Sequence, residues 1–125
     1  MDYRYKISVI VPCYNSEKFL KETLDNLLGQ SLREIQIIAV NDGSKDSTSD
    51  IIAEYAAKDS RILSLYQENA GVSAARNNGI DHAEGKYTMF LDSDDSFYPN
   101  AVEKAVLAAE KENATLLIFG FSVVN

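Results

Sequence analysis

Apolar residues in this chain come in short unbroken runs, separated by stretches where they recur every three or four positions. Ile7-Ser8-Val9-Ile10-Val11 is a β-branched run closed by Pro12. From Ser16 to Gln30 the apolar positions Leu20, Leu24, Leu27 and Leu28 have helical spacing, which predicts a helix stopped near Gly29. Ile35 to Val40 predicts a second strand running into the loop signal Asn41-Asp42-Gly43-Ser44. Ser47 with Asp50 three positions on is close to a capping box, and Ile51, Ile52, Tyr55 and Ala56 form that helix's inner face. Ile62 to Tyr66 predicts a third strand. Gly71-Val72-Ser73 opens a helix that the pattern carries to Gly85 as its C-terminal cap. Tyr87 to Leu91 is the fourth predicted strand, and Leu116 to Phe121 the fifth. Between them Pro99 fits the first position of a helix with Val102, Ala105, Val106 and Ala109 inside.

Strands that are apolar almost throughout fit a parallel sheet covered on both faces. Strands and helices alternate, so right-handed crossovers predict a three-layer α/β/α domain with a mostly parallel open sheet. Ligands of such sheets sit beyond the C-terminal strand ends, where the strand order reverses. That rule selects Pro12 to Glu17, Asn41 to Ser44, Gln67 to Ser73 and Asp92 to Ser96.

Composition narrows the function classes. The 125 residues fit a single domain over 1–125, and 46% hydrophobic with 25% charged residues describes a globular chain. A net charge of −7 without a Lys/Arg stripe argues against nucleic acid as a partner. An anionic ligand must then be held by local devices: a metal, a helix N-terminus or a single Arg. Met1 to Lys6 has no signal-peptide pattern, and Leu116 to Phe121 is too short to span a bilayer, so the expected setting is cytoplasmic. The lone Cys13 rules out an internal disulfide and suits a reducing compartment, as a small buried thiol at a strand end.

The candidate chemistry centres on Asp92-Ser93-Asp94-Asp95, directly behind the fourth strand. Carboxylates this close raise one another's pKa unless a cation compensates, and a hard divalent ion, Mg²⁺ or Mn²⁺, suits oxygen ligands. The same residues also read as an acidic turn capping the next helix. Gly71-Val72-Ser73 offers helix N-terminal N–H groups to a phosphate. Arg76, one turn in, is placed either to contact a phosphate or to pair with Asp42 or the acidic loop. His82 sits among polar neighbours and reads as a surface residue.

Four segments occur in order: Val9-Ile10-Val11-Pro12-Cys13-Tyr14-Asn15 followed by Glu17; Val40-Asn41-Asp42-Gly43-Ser44; Glu68 to Asn77; and Asp92-Ser93-Asp94-Asp95. Together they resemble the N-terminal half of a family 2 glycosyltransferase of the GT-A nucleotide-sugar fold. The resemblance implies that Asp42 accepts the N3–H of a uracil ring, a charge-assisted contact. Asn41 stands where many relatives carry a second acid. The resemblance places Pro12 and Tyr14 in the base pocket, the Tyr14 ring against uracil. Glu17 joins them by resemblance, although the dipole of a helix's first turn also explains a Glu there. Gly71, Arg76 and Ser93 are counted with the nucleotide-sugar site, Arg76 with both its phosphate and its ion-pair reading open. Asp92-x-Asp94 matches the family's DxD motif, which implies Asp94 as the direct metal ligand and Asp92 nearer the ribose hydroxyls. The cofactor implied is Mg²⁺ or Mn²⁺, and the partners are a UDP-sugar and a saccharide or glycolipid acceptor.

Inverting transfer needs a general base, and the resemblance places that carboxylate beyond Asn125. The expectation is therefore a donor-binding piece of a longer transferase, peripheral at the inner membrane face when whole, with self-association through an exposed apolar C-terminal strand. The alternative is a non-catalytic nucleotide-sugar-binding or structural module. A receiver-type phosphoacceptor needs acids after the first strand and a Lys after the fifth, and both are absent. A haloacid-dehalogenase-like phosphatase carries its DxD after the first strand, not the fourth. A dinucleotide-binding oxidoreductase needs a GxGxxG that this chain lacks.

Overall fold

The computed structural model describes residues 3–112. Strands β1 (Tyr5–Cys13), β2 (Ile35–Asp42), β3 (Ile62–Gln67) and β4 (Gly85–Phe90) alternate with helices α1 (Leu20–Leu28), α2 (Thr48–Lys58), α3 (Val72–Asp81) and α4 (Ala101–Lys111). The strands form one parallel sheet in the order β3-β2-β1-β4. The predicted α/β class and parallel sheet are both present. The predicted fifth strand, and the self-associating edge expected of it, lie outside the described residues.

Alternation along the strands sorts the core into two layers. Ile7, Val9 and Val11 of β1 and Ile35, Ile37 and Ala39 of β2 pack with Leu20, Leu24 and Leu27 of α1, Ile52 of α2 and Val102 and Val106 of α4. The opposite-facing Ile10, Ile38 and Val40 meet Ala75 of α3. Helices on both faces leave no residue of β2 exposed, which explains its unbroken apolar run.

Several predicted boundaries move, each for a physical reason. β1 does not stop before Pro12 but runs through it to Cys13. The Leu91 N–H donates to the Ile10 carbonyl, and the β1–β4 ladder ends there. Pro12 faces the same side as Ile10, so its missing N–H falls where no partner strand remains. α1 starts at Leu20 rather than Ser16 because Ser16 to Phe19 form a turn, with the Phe19 and Leu20 N–H groups donating to the Ser16 carbonyl. Glu17 therefore lies outside the helix, and the dipole explanation for it fails. Its carboxylate instead accepts the Ser47 N–H at 3.2 Å, ahead of α2. The Ser47 side chain makes no cap bond, so the predicted capping box is absent. Asp46 takes the Thr48 N–H at 2.9 Å in its place. α4 begins at Ala101, two residues after Pro99.

Gly85 is not a helix cap. α3 ends at Asp81 with His82 as its C-cap, and Gly85 opens β4. A Cβ on Gly85 would lie 2.5 Å from the Ile7 carbonyl carbon and the Ser8 nitrogen. Glycine here permits close approach of two backbones. The same corner holds buried polar groups. Ser8 Oγ donates to Gln36 Oε1 at 2.6 Å and accepts the Gly85 N–H at 2.9 Å, while the Glu84 N–H reaches Gln36 Oε1 at 2.8 Å. These bonds fix the register in which β4 enters the sheet.

Candidate functional site

β2 lies on one side of β1 and β4 on the other, so the strand order reverses at β1. At the C-terminal ends of these strands is an open cleft of about 350 Å³. Its floor comes from Pro12 to Ser16, one wall from Asp42 with Val72 and Ala75 of α3, and the other from Asp92, Ser93 and Asp94. Of the residues selected from sequence, Pro12, Tyr14, Asp42, Asp92, Ser93 and Asp94 line this cleft. Glu17 does not, being committed to the start of α2. Gly71 and Arg76 stand behind the lining, each touching one of its acids.

The floor is held by a sharp reversal. Asn15 has φ +48°, its N–H donates to Ser44 Oγ at 2.9 Å, and its Oδ1 accepts the Lys45 N–H at 2.8 Å. Asn tolerates this left-handed conformation better than most residues. The Ser44 N–H in turn donates to Asn41 Oδ1 at 3.0 Å, so Asn41 serves the loop rather than the cleft. These bonds leave the Tyr14 ring half-exposed at the cleft.

Asp42 ends β2 almost fully buried. Its Oδ1 accepts Gln67 Nε2 at 2.9 Å and the Ala70 N–H at 2.8 Å. Its Oδ2 accepts the Gly71 N–H at 3.0 Å and, more weakly, Asn69 Nδ2 at 3.3 Å. The Asn69 amide also reaches the Asp42 carbonyl, at 3.1 Å. Burial pushes the Asp42 carboxyl up, but the Ala70, Gln67 and Gly71 donors together outweigh it and leave its pKa below the ordinary value. Stability from this carboxylate is present above the unfolded carboxylate range, about pH 4, and is lost as pH falls through the lower folded value. Asp42→Asn should therefore cost about 2–3 kcal/mol at pH 7, the scale of hydrogen bonds to a charged group. The gap should narrow as pH falls from 7 to below the ordinary carboxylate range, about pH 4, where the unfolded chain takes up the proton first. Thermal melts between these pH values check it, and a constant gap would show that the charge is not its source.

The opposite wall is the turn after β4. The Asp95 N–H donates to the Asp92 carbonyl, and Ser93 Oγ lies 2.6 Å from Ser16 Oγ. Thr23 of α1 reaches the Ser93 carbonyl at 2.8 Å and the Asp95 carbonyl at 3.0 Å. The turn is thus pinned from two elements. Carboxylate oxygens of Asp92, Asp94 and Asp95 lie within 4.8 Å of one another. Burial first, then the charges of Asp94 and Asp92, push the Asp95 carboxyl up. The nearest cation among the described residues is Arg76, its Nη2 3.7 Å from Asp92 Oδ1 and its guanidinium 5.4 Å from the centre of the Phe90 ring. Arg76 therefore pairs with the acidic loop rather than with Asp42. An all-oxygen, acid-rich donor set of this span fits a hard divalent ion.

The sequence assigns no individual role to Ser16, Thr23, Gln67 and Asn69, although Ser16, Gln67 and Asn69 fall within the loops it selects. Thr23 carried a signal, as a polar residue on the inward face between Leu20 and Leu27. For the other three only their place at a strand end was legible, since their partners are distant in sequence. Among the described residues no helix is long and apolar enough to cross a membrane.

Comparison with known proteins agrees with this architecture. The sequence profile of glycosyl transferase family 2 matches residues 8–125. A glycosyltransferase of Streptococcus pneumoniae, GlyA, is 48% identical over 98 residues, covering 78% of this chain and 14% of that protein. Residues 1–349 of S. aureus TarS, solved with UDP-GlcNAc, superpose with a TM-score of 0.79 at 33% identity over 86% of this chain and 32% of that one. The Pyrobaculum calidifontis mannosyltransferase PcManGT, solved with GDP-Man and Mn²⁺, gives 0.69 at 27% identity over 76% and 29%. The chain thus spans a third or less of the length of each of these relatives. On the match of its sequence from residue 8 to its last residue, this chain belongs to glycosyl transferase family 2.

Proposed function

We propose that the cleft binds a UDP-sugar and that the protein transfers the sugar to a saccharide or lipid-linked acceptor with inversion. One observation carries the reading: a buried, ionised Asp42 on one wall faces the Asp92–Asp94 turn on the other, across the end of β1. Such a cleft offers an acceptor for a base N–H at one side and acids for a cation-bound diphosphate at the other. The TarS complex with UDP-GlcNAc, at 33% identity, supports the same ligand class.

In this reading the uracil ring lies against Tyr14 and Pro12, and its N3–H is received by Asp42. The weak, shared Asn69 bond is the one that such an N–H displaces at least cost. Gly71 holds Asp42 from behind, and Arg76 holds Asp92, which faces the ribose hydroxyls. Asp94, with Asp92, holds Mg²⁺ or Mn²⁺, and Ser93 sits between them. When bound, the ion supplies Lewis-acid stabilisation to the departing diphosphate. Glu17 is left to brace the loop between Asn15 and α2. The acceptor hydroxyl oxygen bonds to the anomeric carbon, the bond to the diphosphate oxygen breaks with its electron pair leaving on that oxygen, and the hydroxyl proton passes to a carboxylate. The acids at the cleft are engaged with nucleotide and cation in this reading, so none of them is assigned as that carboxylate.

Titration calorimetry with UDP and GDP, each with and without Mn²⁺, tests the reading. The expected result is UDP binding strengthened by Mn²⁺ and preferred over GDP. Failure of both nucleotides to bind would leave only a structural module. Binding by the complete protein without transfer to any saccharide or lipid acceptor would leave a nucleotide-sugar-binding module.

A further inference from the structure

Asp42 is reached by a chain of side chains that starts inside α3. Asn78 Nδ2 donates to Gln67 Oε1 at 3.2 Å, and Gln67 Nε2 donates to Asp42 Oδ1 at 2.9 Å. The direction of this chain is fixed by chemistry. An ionised carboxylate only accepts, so Gln67 must turn its NH₂ toward Asp42. Its carbonyl then faces α3, where a donor is required, and Asn78 supplies one. Neither residue lines the cleft. The other two strong donors to Asp42, the Ala70 and Gly71 N–H groups, belong to the loop between β3 and α3. Gln67 is the last residue of β3, so it ties Asp42 to the sheet rather than to that loop.

We propose that Gln67, oriented by Asn78, is a positioning residue that fixes the plane of the Asp42 carboxylate and keeps it a pure acceptor toward the cleft. The consequence for nucleotide rests on the reading that Asp42 receives a base N–H. The Gln67 bond is also among the contacts that lower the Asp42 pKa. His82 touches this chain of contacts, its Nδ1 2.9 Å from the Asn78 carbonyl, while Asp92 and Asp94 line the far wall of the cleft and Arg76 of α3 pairs with Asp92. Glu68 follows β3, Lys45 and Asp46 follow β2, and Cys13, Tyr14 and Glu17 belong to the β1 end. All are retained in every variant below, so their influence cancels in the comparison.

The relay makes a prediction that loss of packing alone does not. Asn78→Ala removes a donor but leaves Gln67 free to keep its NH₂ on Asp42. Asn78→Asp, nearly the same shape, replaces the donor with an acceptor and draws the Gln67 NH₂ away, so that two oxygens face each other at Asp42. The near-isosteric variant should thus be the more harmful. Asn77→Asp adds the same charge one residue away, on the exposed side of α3, and controls for charge alone.

The test follows the Asp42 carboxyl carbon by NMR across pH, together with UDP affinity at pH 7 in the presence of Mn²⁺. Gln67→Met should raise the Asp42 midpoint and weaken UDP binding about tenfold, the scale of one hydrogen bond to a charged group. Asn78→Asp should raise the midpoint more than Asn78→Ala or Asn77→Asp does. A midpoint unmoved by Gln67→Met, or Asn78→Ala more harmful than Asn78→Asp, overturns the relay whatever UDP does. If the midpoints move as expected while UDP does not bind wild-type protein, the relay stands and the uracil reading falls.

Discussion

Replacing Asp94 with alanine is expected to remove the Mn²⁺-dependent part of UDP binding. Loss of a residue that merely supports a metal ligand costs about 10–100-fold in metal affinity. Loss of a ligand itself should therefore cost about 100-fold or more in the presence of Mn²⁺. Affinity without metal should change little, because Asp42 and the β1 floor are untouched. The fold should not suffer either. Asp94 is exposed, and its charge is one of the two that push the neighbouring Asp95 carboxyl up. Its removal relieves repulsion, so the metal-free melting temperature should hold or rise. Calorimetry with a parallel thermal melt reads both quantities. A variant that keeps full Mn²⁺-dependent binding would remove Asp94 from the site, and one that unfolds would make the turn structural.

The largest expected effect on stability belongs to Gly85→Ala. The added methyl would meet main-chain atoms of Ile7 and Ser8 at 2.5 Å, and main chain in a paired strand cannot rotate aside. Overpacking typically costs about 1–3 kcal/mol, and the upper end, about 3 kcal/mol, is expected here. That is a large part of the total stability of a domain this size, about 5–15 kcal/mol. Gly71→Ala is the informative contrast. A methyl on Gly71 meets nothing within 4 Å, so only the φ of +101° opposes it. Backbone strain of that kind costs about 1–3 kcal/mol, and local adjustment of an open loop lowers it. Urea unfolding of the two variants should place Gly85→Ala well below Gly71→Ala. The reverse order would mean that β4 can shift along β1 without cost.

The sites of these two changes were not equally legible in the sequence. Asp94 sat in a local pattern, three acids behind an apolar strand, and local patterns survive folding because neighbours in sequence stay neighbours in space. Gly85 follows a helical stretch, where glycine commonly is a cap. Its actual reason is the backbone of Ile7, some eighty positions away, and no local pattern carries that. Glu17 shows the same limit of local pattern. A Glu near an apparent helix start looked like a dipole partner, whereas the turn at Asn15 delays α1 and hands Glu17 to α2.

The sequence by itself determined the alternation of strand and helix, the parallel sheet and the four loops at one end of it. It did so because hydrophobic periodicity records which faces are buried, and helical connections between apolar strands admit few topologies. It also determined which acids stand at that end, since Asp42 and Asp92 to Asp94 follow directly on their strands. Tertiary structure alone decided what each acid can do. Asp42 is an ionised acceptor because Gln67, at the end of β3, and Ala70 and Gly71, in the loop after it, converge on it. Arg76 was legible as a cation near the site, but only packing over Phe90 set its partner as Asp92. Hydrogen bonds between residues far apart in the chain depend on distances and angles that only the folded backbone sets, and these convert a list of acids into a cleft with two different walls.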